Sequence, residues 1–242
     1  MLVKAAGFSQ KENGNMKLCI DDANVEKIRK LTDLYPIDGV STNPSILAKT
    51  GRNPADVLKE IRNIIGPEGE LFVQTVSGNA EQMAAEGRAI AAALGKTTLV
   101  KIPCTPQGFK AMKQLKKEGI RFIGTAIYTP MQAFLAAACG ADYVAPYVNR
   151  IDNMGFDGVQ VTKDIHDILT KNNMKCELLA ASFKNSQQVL DLAKYGIGAA
   201  TVAPDVLEGF VKNPAVDAAV AQFTSDFEKL TGPGITMAEI FQ

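Results

Sequence analysis

Between residues 17 and 212 a short β-rich run is followed by a helical segment eight times without a break. No other feature of the chain restricts its fold as much. The strand candidates are 17–21, 39–42, 71–75, 98–102, 121–125, 142–146, 176–181 and 199–202. The helical stretches between and after them are 24–32, 54–65, 79–94, 106–118, 130–139, 159–172, 186–194 and 204–212. Asn79 with Gln82, Thr129 with Gln132, and Asn185 with Gln188 have the spacing of capping boxes. Pro106 and Pro130 stand where a first helical residue loses nothing by lacking an N–H. Gly95, Gly119, Gly140 and Gly196 stand where helices stop.

Strict alternation implies parallel strands joined by right-handed helical crossovers. Eight units point to an α/β fold, a closed (β/α)8 TIM barrel; a doubly wound open sheet is the alternative. A further helix over 215–230 has no strand left to cover. The expected organisation is a loose extension over 1–15, the barrel over 16–212, and a C-terminal helix and tail over 213–242. That last helix is expected to pack outside the barrel or on a neighbouring subunit.

Charge and composition narrow the function. The 26 Lys+Arg balance 26 Asp+Glu, which leaves no overall field to hold a nucleic-acid backbone. No apolar run reaches membrane-spanning length, and the first residues lack the apolar core of a secretory signal, so a cytoplasmic protein is expected. One histidine, His166, and four cysteines without a Cys-x-x-Cys pair do not make a zinc site. No metal and no cofactor is expected. His166 reads as a surface helix residue, and the cysteines as free, mostly buried thiols.

In a parallel barrel the active site lies at the C-terminal ends of the strands. The polar residues found there are Asp21, Ser41 and Asn43, Gln74 and Thr75, Lys101, Thr125, Tyr147 and Arg150, and Ser182; strand eight ends in Thr201-Val202 and offers little. Lys101 sits between Val100 and Ile102. If those two face outward, alternation turns Lys101 into the barrel, where desolvation favours the neutral amine that a Schiff base requires. On spacing alone, a lysine snorkelling to water at a strand tip fits equally well. Tyr147 could move a proton on a substrate hydroxyl and Arg150 could grip a phosphate, but a core-edge tyrosine and a solvated loop arginine are commoner. Ser182 lies where barrels often hold phosphate, or is a plain helix-entry serine. Lys113, Lys116, Lys117 and Arg121 read as a solvated basic face. Gly196-Ile-Gly198 follows a helix and leads into a strand, the reverse of a dinucleotide loop.

Five stretches in order make the chain recognisable: Asp38-Gly-Val-Ser-Thr-Asn-Pro-Ser45, Val100-Lys-Ile-Pro103, Gly124-Thr-Ala-Ile-Tyr128, residues 143–152, and Leu178-Leu-Ala-Ala-Ser-Phe-Lys184. The chain resembles the small-transaldolase family, and within it the fructose-6-phosphate aldolase branch, over about residues 16–230. The resemblance implies a barrel whose Schiff-base lysine is Lys101, with Asp21 and Asn43 after strands one and two. It gives Arg150 and Ser182 to the substrate phosphate, and Ser41 stands where the branch often has threonine. Transaldolases carry glutamate, asparagine and phenylalanine at the positions of Gln74, Thr125 and Tyr147, so these three residues resemble the aldolase branch.

The implied reaction is reversible class I cleavage of fructose 6-phosphate to dihydroxyacetone and glyceraldehyde 3-phosphate. Tyr147 would move the proton through a water held by Gln74 and Thr125. A transaldolase of the pentose phosphate pathway, passing the dihydroxyacetone unit to an acceptor, is the alternative reading. A non-catalytic sugar-phosphate binder is a third, weakened by the cost of burying Lys101 for no purpose. The resemblance also implies a homo-oligomer, a decamer of two pentamers.

Overall fold

A computed structural model describes residues 15–242. Of the extension expected over 1–15, all but the last residue lies outside the described residues. The strands β1 (Lys17–Asp21), β2 (Gly39–Ser41), β3 (Glu70–Gln74), β4 (Thr98–Pro103), β5 (Phe122–Ile127), β6 (Tyr143–Pro146), β7 (Glu177–Ala180) and β8 (Ala199–Val202) form one closed parallel barrel in sequence order. The pairing of β1 with β8 closes it, with Cys19 beside Thr201, and rules out the open sheet.

The helices outside are α1 (Val25–Leu34), α2 (Pro44–Ala48), α3 (Pro54–Ile65), α4 (Ala80–Leu94), α5 (Pro106–Lys117), α6 (Pro130–Ala138), α7 (Val148–Asp152), α8 (Gly158–Lys171), α9 (Ser186–Tyr195) and α10 (Pro204–Glu208). Two of these, α2 and α7, have no counterpart in the sequence reading, because five residues are too few to show a helical period. Asn43 capping α2 with Pro44 at its first position was the available signal.

The outward faces of the strands and the inward faces of the helices share one apolar core, with Val100 and Ile102 of β4 in it. A second cluster fills the barrel interior: Cys19, Phe72, Leu99, Ile123, Tyr143, Ala145, Leu179, Ala181 and Ala199. Below it, at the N-terminal ends of the strands, buried Glu70 accepts hydrogen bonds from Lys17 Nζ (3.2 Å), Tyr143 Oη (2.9 Å) and Arg121 Nη2 (3.2 Å). Charge at that end of a barrel serves stability. Arg121 also pairs with Asp142 and is thus no member of a merely solvated basic face.

Helix starts follow the sequence in part. Thr129 and Gln132 form a reciprocal capping box. Asn79 and Asn185 each cap with the side-chain oxygen, but their boxes do not close. The Gln82 oxygen accepts from Asn79 Nδ2, and Gln188 accepts from the Lys184 N–H while donating to Asp152. Gly95, Gly119, Gly140 and Gly196 end helices with positive φ, as expected. His166 lies half-buried on α8 with its ring edge-on to Tyr195.

The chain divides into two units, the second being Glu208–Gln242. The eighth helix therefore ends at Glu208, short of the expected residue 212, and Gly209 opens a turn. The second unit holds α11 (Pro214–Thr231) and α12 (Met237–Ile240). No helix among the described residues is long and apolar enough to cross a membrane.

Candidate active site

The register staggers neighbouring strands, so that alternate strands supply alternate layers of inward side chains. Near the C-terminal end, the even strands contribute Ser41, Lys101, Ala145 and Thr201 to one layer. The odd strands place Asp21, Gln74, Thr125 and Ala181 in the layer above, beside the mouth. Three small side chains, Ser41, Ala145 and Ala181, leave room for the long one.

Lys101 is 3% exposed and turns inward with Leu99, while Val100 and Ile102 pack outward, which excludes the snorkelling alternative. Its Nζ lies 2.8 Å from Ser41 Oγ. Asp21 is the register neighbour of Ser41, whose hydroxyl favours the charged carboxylate, so the amine, hydroxyl and carboxyl stand side by side. Burial pushes the Lys101 amine below its usual value; Asp21 opposes this, and Arg150 adds to it. Burial likewise raises the Asp21 carboxyl, with Lys101 and Ser41 pulling it back. A desolvated amine with a hydroxyl relay to a carboxyl is suited to attack a carbonyl carbon and to shuttle the protons of its dehydration.

A second cluster stands at the rim. Tyr147 Oη and Thr125 Oγ1 are 3.0 Å apart. The Arg150 guanidinium, exposed and one turn further on, lies over the Tyr147 ring at 4.5 Å. Gln74 is the register neighbour of Lys101, and its amide forms no hydrogen bond among the described residues, so it is open to a ligand or a water.

The remaining sequence candidates are placed less directly. Asn43 spends its side-chain oxygen on the Ile46 N–H (3.0 Å), which leaves only its amide donors for a ligand. Ser182 adopts a left-handed backbone, φ 62°, and its carbonyl accepts from the Asn149 N–H at 2.8 Å. That bond brings the loop after β7 beside the α7 turn that carries Arg150. Thr75 is buried, with its hydroxyl near the Lys101 carbonyl at 3.4 Å.

Strand eight offers more than its sequence suggested. Thr201 is 1% exposed and shares the Lys101 layer, yet its Oγ1 has no partner among the described residues. An unpartnered buried hydroxyl costs about 1–3 kcal/mol. Ala200 and Val202 pack outward, so alternation along β8 turns Thr201 inward, as it does Lys101 in β4. Among the described residues no three His, Cys, Asp or Glu side chains converge on a metal position.

Fold and site together define a class: a (β/α)8 barrel with a desolvated amine at the end of the strands where barrel enzymes do their chemistry. A flavocytochrome b2 variant solved with sulfite bound is similar at a TM-score of 0.56 and 11% sequence identity, over 79% of this chain. The chain spans 57% of that protein's length, and at such identity the likeness concerns the barrel alone. The sequence is more specific. The family model described as transaldolase/fructose-6-phosphate aldolase matches residues 18–242, and the chain belongs to that family.

Proposed function

We propose that the protein is a class I fructose-6-phosphate aldolase that works through a Schiff base on Lys101. The observation that carries this reading is the buried Lys101 amine, hydrogen-bonded to Ser41, which stands beside Asp21. The Lys101 amine adds to the C2 ketone, and loss of water, with protons passed along Ser41 and Asp21, leaves an iminium. Tyr147, through a water held by Gln74 and Thr125, takes the C4 hydroxyl proton. The C3–C4 bond breaks, its electron pair moves to the iminium, and glyceraldehyde 3-phosphate leaves. The enamine then takes a proton at C3, and water hydrolyses the iminium to free dihydroxyacetone and lysine. Arg150, whose donors make no hydrogen bond among the described residues, and Ser182 beside its turn hold the phosphate. Asn43 and Ser41 bind the hydroxyls of the donor half. The chemistry calls on no metal.

The aldolase reading is preferred to transaldolase because Gln74, Thr125 and Tyr147 stand where transaldolases have glutamate, asparagine and phenylalanine. Wild-type protein should release free dihydroxyacetone from fructose 6-phosphate with no acceptor aldehyde present. An enzymatic assay of that product reads the result, and release only after an acceptor is added would favour the transferase.

The acid limb of the reaction follows from the Lys101 environment. Only the neutral amine attacks, so imine formation should rise with pH through the lysine's depressed pKa and level off above it. The limb should lie well below the ordinary lysine value of 10.5. Trapping rates measured across pH read it directly; a limb near 10.5 would mean that the reacting amine is an exposed one.

We also propose that the chain is a homo-oligomer, a decamer of two pentamers, with α11 packing on a neighbouring subunit. Val216, Val220, Phe223, Phe227 and Leu230 recur every three or four residues along α11, and none of its residues is buried. Such an apolar stripe calls for a partner surface.

A further inference from the structure

β5 ends in an irregularity. Its register against β6 shifts between Gly124 and Ile127, and Ala126 lies in the left-handed region at φ 55°. A non-glycine residue there is strained and marks an enforced bulge. The extra residue changes which side chains share a face. In a regular strand Thr125 and Ile127 would both point inward. Here Ile127 joins Gly124 on the outer side, in the core under the helices, and Tyr128 faces the mouth of the barrel with Thr125.

The result is that three residues at and just past one strand end hold Tyr147 at three points. Thr125 Oγ1 meets its hydroxyl at 3.0 Å. The Ile127 carbonyl accepts its N–H at 3.1 Å. The Tyr128 ring stands edge-on to its ring, centroids 5.6 Å apart at 84°. Arg150 covers a ring face at 4.5 Å. Remove the Tyr128 contact and the phenol keeps its backbone anchor but can swing about its side-chain torsions, away from Thr125. Edge-to-face aromatic pairs are worth enough to decide between rotamers.

We propose that Tyr128 is a positioning residue for Tyr147, keeping its hydroxyl on Thr125 where it can move a proton of the substrate. The proposal rests on the reading of Tyr147 as the proton-moving group. Tyr128 touches no reacting atom, so its effect belongs to the proton-transfer steps alone.

The test separates imine formation from proton transfer in the full-length protein. Imine formation is followed by borohydride trapping with dihydroxyacetone, and proton transfer by deuterium uptake into dihydroxyacetone carbon in heavy water. Tyr128→Leu should slow deuterium uptake by about tenfold while the trapping rate stays at the wild-type level. Tyr128→Phe keeps the ring and should leave both at the wild-type level. In a Tyr147→Phe background, Tyr128→Leu should cost nothing further, because no hydroxyl remains to position.

A parallel fall in trapping and uptake would show general disruption and overturn the proposal, as would unchanged uptake or a full additional loss in the Tyr147→Phe background. Tyr147→Phe alone with wild-type deuterium uptake would instead refute the role given to Tyr147. No trapping in the wild-type protein would refute the Schiff base.

Discussion

Lys101→Arg is expected to lower fructose 6-phosphate turnover by more than about 10⁴-fold, to the background of the assay. The guanidinium stays protonated at every accessible pH and has no lone pair to add to a carbonyl, so the imine cannot form. Arginine also brings a permanent charge into a layer where the native amine is 3% exposed, and this could unfold the barrel. Lys101→Met controls for that. Methionine fills a similar volume without a buried amine, and it should fold while remaining equally inactive. Circular dichroism and turnover on both variants check the prediction; measurable turnover in a folded methionine variant would remove Lys101 from the chemistry.

The second large effect concerns the fate of the enamine. In a transferase the enamine must outlive the departing aldehyde and meet a second one, so its protonation has to be slow. Tyr147 brings an O–H near the intermediate, whereas the Gln74 amide can hold water but is neither acid nor base. Tyr147→Phe should therefore slow release of dihydroxyacetone from fructose 6-phosphate by about a hundredfold. It should also raise the share of product passed to added erythrose 4-phosphate. The ratio of free dihydroxyacetone to sedoheptulose 7-phosphate in both proteins is the measurement. A wild-type protein that makes the seven-carbon sugar readily and releases almost no dihydroxyacetone would be a transaldolase.

The barrel was legible because its cause is local and repeated: each strand-helix unit shows its own period, caps and stop. Lys101 was legible in half. Alternation with Val100 and Ile102 gave its direction once those two were assumed to face out, and packing against the helices supplies that condition. Lys101, Ser41 and Asp21 are legible as polar strand ends, and Asp21 as a group that could orient the lysine, but their meeting through Ser41 is not. Those residues lie 60 and 20 positions apart, and only the register of β1, β2, β3 and β4 brings them to one place.

Tyr128 was hidden by a different effect. Period-2 counting assigns inward positions only in a regular strand, and the bulge at Ala126 reverses that count after Thr125. The strand end expected at 125 in fact runs to Ile127. Capping boxes failed at Asn79 and Asn185 because a glutamine has several partners to choose from in three dimensions. The Glu70 cluster has no sequence signal, because Lys17, Arg121 and Tyr143 meet there only when the barrel closes.

The central claim is that a covalent bond forms between the ketone and one particular amine. Peptide mapping by mass spectrometry, after borohydride reduction in the presence of dihydroxyacetone or fructose 6-phosphate, tests it most directly. The account predicts inactivation with the added mass on Lys101 alone. Label on Lys184 or another lysine with Lys101 unmodified, or full activity after reduction, would contradict it.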